Sequence, residues 1–167
     1  MVGFLRRVSM VLGAAALSLG GVPAVAQARQ AGPFSIAARH SGLCLEVDHG
    51  RLDPGTRVLQ WNCHRGQHQL WRINDLGNGY VQLVVEHSAQ CLEVDNAGGP
   101  GAYVLQWPCH GGTHQQWRRS DLPGGFHRFM ARHSGLCLEV EAANLPPGSW
   151  VLTWHCHDGA HQQWSIR

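Results

Sequence analysis

The chain has 167 residues, with 12 His and with 13 basic residues, all of them Arg, against 11 acids. Without the leading pair Arg6 and Arg7, 11 Arg stand against 11 acids, so the remainder is neutral when His is neutral. That balance offers neither the footprint of a nucleic-acid binder nor a polybasic membrane anchor.

Arg6 and Arg7 open a short basic segment. Residues 8–20, "VSMVLGAAALSLG", are an apolar run, and "PAVAQA" follows with small side chains at Ala26 and Ala28. These are the three regions of a secretory signal peptide, with cleavage expected after Ala28. The run is too short for a comfortable membrane span. Ser9 and Met10 fit a twin-arginine signal poorly. Residues 1–28 are therefore expected to be a signal peptide, the mature chain to be secreted and outside the membrane, and residues 29–33 to be a short extension.

The rest of the chain is written three times. "RHSGLCLEVD" (39–48), "EHSAQCLEVD" (86–95) and "RHSGLCLEVE" (132–141) open the copies. "VLQWNCH" (58–64), "VLQWPCH" (104–110) and "VLTWHCH" (151–157) continue them, and "HQLW" (68–71), "HQQW" (114–117) and "HQQW" (161–164) close them. Trp71 precedes Trp117 by 46 residues, and Trp117 precedes Trp164 by 47. Such a period marks a repeat architecture, with units at about 34–74, 79–119 and 126–167.

Each unit predicts four short strands. "FSIAARH", "VQLVVEH" and "HRFMARH" come first, with Ile36, Leu83 and Phe129 at equivalent places. In "CLEV" the alternation sends Leu45 and Val47 to one face, Cys44 and Glu46 to the other. "VLQW" alternates too, and the H-Q-x-W segment supplies the fourth strand. Turn residues at 53–55, 98–101 and 146–148 divide strands two and three. No helical period of useful length occurs after the leader.

Six cysteines in a secreted chain predict three disulfides. An antiparallel hairpin with Cys44 opposite Cys63 centres its turn between Asp53 and Pro54. The same register centres the other two turns at Pro100 and between Pro146 and Pro147. The expected bridges are Cys44–Cys63, Cys91–Cys109 and Cys137–Cys156. This register sets Glu46 opposite Trp61, Glu93 opposite Trp107 and Glu139 opposite Trp154.

"CLEV", the aromatic two places before the second Cys, the Cys spacing and a Q-x-W in every unit resemble the ricin-type lectins. The match covers about residues 34–167. The resemblance implies an all-β fold, a β-trefoil of three four-stranded repeats about a pseudo-threefold axis. It implies a sugar pocket in each repeat. An acid accepts hydrogen bonds from sugar hydroxyls, an aromatic stacks on the pyranose, and a polar residue before Q-x-W completes the contacts. Carried over, those roles fall on Glu46, Trp61 and His68; on Glu93, Trp107 and His114; and on Glu139, Trp154 and His161. Gln69, Gln115 and Gln162 stand nearby, and Trp71, Trp117 and Trp164 take core places.

The residue types suit that chemistry in their own right. Trp offers a rigid apolar plane, and a carboxylate is a strong hydroxyl acceptor. Three departures from the family recur in all units: Glu for the usual Asp, His for the usual Asn, and Leu59, Leu105 and Leu152 where Gln is common. Neutral His can both donate and accept, as Asn does. A neighbouring Glu would raise its pKa, so sugar binding is expected to weaken on acidification through about pH 6.

Nine His fall at repeated places: His40, His87 and His133; His64, His110 and His157; His68, His114 and His161. Copying one ancestral unit accounts for their number, and the helical metal motifs are missing, so neither metal nor cofactor is expected. No nucleophile or zincin motif points to an enzyme. A monomeric carbohydrate-binding lectin is the reading. The alternative is a trefoil that binds protein, such as a protease inhibitor, through exposed loops.

Overall fold

The computed structural model describes residues 30–167; the expected signal peptide lies outside the described residues. Twelve strands fall four to a repeat. The first repeat holds β1 (Gln30–Ala38), β2 (Cys44–Val47), β3 (Val58–Trp61) and β4 (Leu70–Gly77). The second holds β5 (Tyr80–Val85), β6 (Cys91–Val94), β7 (Val104–Trp107) and β8 (Trp117–Leu122). The third holds β9 (Phe126–Ala131), β10 (Cys137–Val140), β11 (Val151–Trp154) and β12 (Trp164–Ile166). β1 already pairs with β4 at Gln30 and Ala31, so most of the expected 29–33 extension is strand.

The first and last strands of each repeat close a ring of antiparallel neighbours, β1–β4–β5–β8–β9–β12 and back to β1. Closure leaves that sheet without an edge. The hairpins β2–β3, β6–β7 and β10–β11 complete the three units. This is the β-trefoil arrangement that the resemblance implies.

Alternation fills the core as expected. Ile36, Leu83 and Phe129 are fully buried, with Leu45, Leu92 and Leu138 beside them. Trp71, Trp117 and Trp164 are also at 0 % exposure. A buried indole needs a partner for its N–H. Each finds one in the "CLEV" strand of its own repeat: Leu45 O at 3.0 Å, Leu92 O at 3.1 Å and Leu138 O at 3.1 Å.

The three disulfides pair as expected, Cys44–Cys63, Cys91–Cys109 and Cys137–Cys156. The register does not. Cys44 faces Trp61 and Glu46 faces Leu59. Glu93 faces Leu105 and Glu139 faces Leu152. The expected register is thus off by two residues. The cause is that Cys63, Cys109 and Cys156 lie beyond the strand ends, where the chain bends back to a Cα–Cα distance of 5.1 Å. That is within ordinary disulfide reach. A slip of two keeps every side chain on its face, so each Glu and Trp remain diagonal neighbours.

The fourth strand also starts later than expected. The His and Gln of H-Q-x-W sit on single 3-10 turns, Gln67–Gln69, Thr113–Gln115 and Ala160–Gln162. Polar side chains join the repeats. Buried Gln60 donates to Asn144 O at 2.8 Å, and buried Gln106 donates to Arg51 O at 2.8 Å. The two kinds of Trp should differ sharply on truncation. Trp117→Ala is expected to cost about 3–5 kcal/mol, and Trp107→Ala about 1 kcal/mol, read from guanidinium denaturation midpoints.

Candidate functional site

On the face opposite the core, β2, β6 and β10 each present one Glu. Glu46, Glu93 and Glu139 are only 5–6 % exposed. A carboxylate that deep must be hydrogen-bonded. Gln69 Nε2 donates to Glu46 Oε2, Gln115 Nε2 to Glu93 Oε2 at 2.6 Å and Gln162 Nε2 to Glu139 Oε2 at 2.5 Å. The same Gln69 amide donates to Asn62 O at 2.8 Å, and its Oε1 accepts the His64 N–H at 2.9 Å. Gln69, Gln115 and Gln162 are at 0 % exposure. They hold the carboxylate from behind, on the side away from the mouth.

The His after the second Cys is the residue that sequence reasoning left out of the site. His64 Nε2 lies 3.2 Å from Glu46 Oε2, His110 Nε2 3.1 Å from Glu93 and His157 Nε2 3.2 Å from Glu139. The backbone sets the tautomer. Gly66 N–H donates to His64 Nδ1 at 3.0 Å, so in the neutral ring the proton sits on Nε2 and is donated to Glu46. The signal was available as "CH" at the end of every third-strand segment.

The His before Q-x-W is placed near the carboxylate as expected, though farther away. His68, His114 and His161 put Nε2 at 3.8, 3.6 and 3.8 Å from the Glu oxygens. The two imidazoles of a pocket pack with centroids 5.1, 5.1 and 4.8 Å apart. Gly66, Gly112 and Gly159 make room for them. A Cβ on Gly66 would lie 2.7 Å from His64 Cε1 and 2.8 Å from His68 Cε1.

Trp61, Trp107 and Trp154 stand at the mouth, 40, 41 and 43 % exposed. Each rests on a turn glycine of a neighbouring repeat. A Cβ on Gly148, Gly55 or Gly101 would meet the ring of Trp61, Trp107 or Trp154 at 3.5–3.6 Å. All three glycines have φ of 85–92°, a conformation that side chains resist. Every site is therefore built from two repeats.

Hollows of about 260, 420 and 360 Å³ lie at these places. The first is lined by Glu46, Leu59, Trp61, His64 and His68, the second by Glu93, Leu105, Trp107, His110 and His114. The third is lined by Glu139, Leu152, Trp154 and Gly101. The second and third sit at the small end of ligand pockets, about 300–1,000 Å³, and the first just below it. Another hollow, lined by Asp75, Asn78, Arg119 and Asp121, has no aromatic wall.

Burial lowers the pKa of His68 and His161 below the ordinary His value, against the opposing pull of Glu46 and Glu139. The expectation that the carboxylate would raise it is corrected: desolvation of these half-buried rings outweighs the Coulomb attraction. The sign of the stability effect follows. Above the unfolded-state value near 6.5 both folded and unfolded rings are neutral. Below it the unfolded chain takes up protons first, so stability falls until the folded pKa is passed. Tm is expected to fall on acidification below that point, with a shallower slope in the double variant His68→Asn, His161→Asn. Scanning calorimetry across pH 8 to 5 checks this.

Structural comparison finds the designed threefold-symmetric protein ThreeFoil, 41 % identical, covering 80 % of this chain and 96 % of that one, with a TM-score of 0.79. An exo-β-1,3-galactanase, 1,3Gal43A from Clostridium thermocellum, is 26 % identical with a TM-score of 0.78. The match covers 80 % of this chain and 29 % of the galactanase. A Macrolepiota procera ricin B-like lectin, solved with lactose, shares the fold at 17 % identity and a TM-score of 0.70, over 85 % of this chain and 96 % of that one. Comparison with curated proteins gave no match. The model of the ricin-type β-trefoil lectin domain matches residues 32–164, and the chain belongs to that family.

Proposed function

We propose that the chain is a secreted, non-catalytic lectin that binds polysaccharide or glycan through up to three shallow sugar sites. The observation that carries this reading is an exposed Trp beside a deeply held Glu, built three times on equivalent strands. The indole takes the apolar face of a pyranose. The Glu oxygens not committed to Gln and His accept from its hydroxyls. The lactose complex of the Macrolepiota lectin and the galactanase partnered with the same fold support a carbohydrate ligand.

One stacking ring and one carboxylate give a weak site. A monosaccharide is expected to bind at about millimolar Kd, near −4 kcal/mol. Three sites on one rigid body raise retention on a polymer by avidity, without a new contact. A second reading, docking of a protein on exposed loops, draws on Leu52 and Leu145, each 62 % exposed at equivalent places. Single exposed Leu residues are ordinary on protein surfaces, and the second repeat has none there, so this reading stands behind the first.

Trp61→Ala, Trp107→Ala and Trp154→Ala should each reduce retention on an immobilised polysaccharide chosen by glycan array. The triple variant should lose it while keeping the wild-type far-ultraviolet spectrum. A triple variant that is folded and retained like wild type would remove the Trp platforms as sugar sites.

A further inference from the structure

One set of potential metal-ligating atoms recurs in every pocket. Glu46, His64 and His68, then Glu93, His110 and His114, then Glu139, His157 and His161 each bring a carboxylate oxygen and two ring nitrogens within 4.8 Å of one another. In the second repeat both Nε2 atoms stand off one oxygen, Glu93 Oε2, at 3.1 and 3.6 Å. Ligands about 2.0–2.1 Å from a tetrahedral zinc ion lie about 3.3 Å apart. The observed spacings bracket that figure, so small side-chain rotations close the gap.

Two further features suit an ion. The carboxylate is fixed from behind by a fully buried Gln, which is the outer support that metal ligands commonly have. The glycines at 66, 112 and 159 leave the space in which the two imidazoles converge on it. The donor set also selects the ion. Two imidazoles with one carboxylate match zinc, copper and nickel, whereas calcium and magnesium prefer all-oxygen shells.

We infer that each repeat holds one zinc-class divalent ion on Glu46, His64 and His68, on Glu93, His110 and His114, and on Glu139, His157 and His161. Three protein ligands leave a fourth position for water or a hydroxyl. Two existing hydrogen bonds change on binding, His64 Nε2–H to Glu46 and Gly66 N–H to His64 Nδ1. The His64 proton moves from Nε2 to Nδ1, the ring stays neutral, and Gly66 N–H gives up its acceptor. Nδ1–H and Gly66 N–H cannot face each other at 3.0 Å, so binding needs the His64 ring, 42 % exposed, to swing away from Gly66. The ion site stands whether or not the pocket takes a sugar.

Zinc chloride is titrated into the oxidised chain at pH 7.5 in a non-coordinating buffer, followed by calorimetry. Saturation at three equivalents is expected, one for each group. Each of His68→Asn, His114→Asn and His161→Asn should remove one equivalent, and His64→Asn should remove one as well. Magnesium should give no saturable heat. Absence of saturable zinc binding in the wild type would overturn the inference. So would a stoichiometry unchanged in the folded triple variant His68→Asn, His114→Asn, His161→Asn, which would place zinc on other His. Polysaccharide retention is measured separately with and without a chelator, so failure of the ion site and failure of the sugar reading are told apart.

Discussion

A carboxylate buried on the face of a sheet is the constraint around which each repeat is arranged. An ionised Glu at 5–6 % exposure is costly unless its lone pairs are met. The Gln of Q-x-W meets them from behind, and the His after the second Cys meets them from the side. That Gln is itself held by a backbone carbonyl and a backbone N–H of the segment around Cys63. Two positions along, the Trp of the same motif points the other way and donates to the carbonyl of Leu45 in the core. One four-residue segment thus ties the outer face and the core to the same "CLEV" strand.

The repeats depend on each other in a closed cycle. Trp61 of the first rests on Gly148 of the third, Trp107 of the second on Gly55 of the first, and Trp154 of the third on Gly101 of the second. Backbone bonds follow the same cycle, with Gly148 N–H donating to Gln60 O, Gly55 N–H to Gln106 O and Gly101 N–H to Thr153 O, each at 2.8 Å. A solitary repeat would lack both the floor of its platform and the partners of these amides. Three repeats are therefore the smallest closed unit.

The period-two alternation of "CLEV" and the buried Q-x-W Trp were legible in the sequence, because core parity is written in every copy. The disulfide pairing was legible from spacing. The strand register was not, since a cystine past a strand end tolerates a two-residue slip, and such a slip leaves parity untouched. Glu46 was legible as the pocket acid through the resemblance, but its support by the Gln69 amide is visible only after folding. The role of His64 was hidden for a related reason: its hydrogen bond to Gly66 is made by local backbone shape, which the letters "CHRG" do not display. The pKa of His68 was misjudged because attraction to a nearby Glu is easy to foresee, whereas burial of the ring is visible only after folding.

The pocket holds more nitrogen than its carboxylate requires. Gln69 and His64 already satisfy Glu46 from two sides. His68 at 3.8 Å is beyond hydrogen-bond reach of that carboxylate, so it does not help to hold it. Nor does its placement favour its charged form, because burial opposes protonation there. Its ring also depends on a glycine, since a Cβ at Gly66 would collide with it. The same placement beyond hydrogen-bond reach of the carboxylate, with a glycine leaving it room, recurs at His114 and His161. The proposed sugar site and the inferred ion site would each give that second imidazole a partner outside the chain.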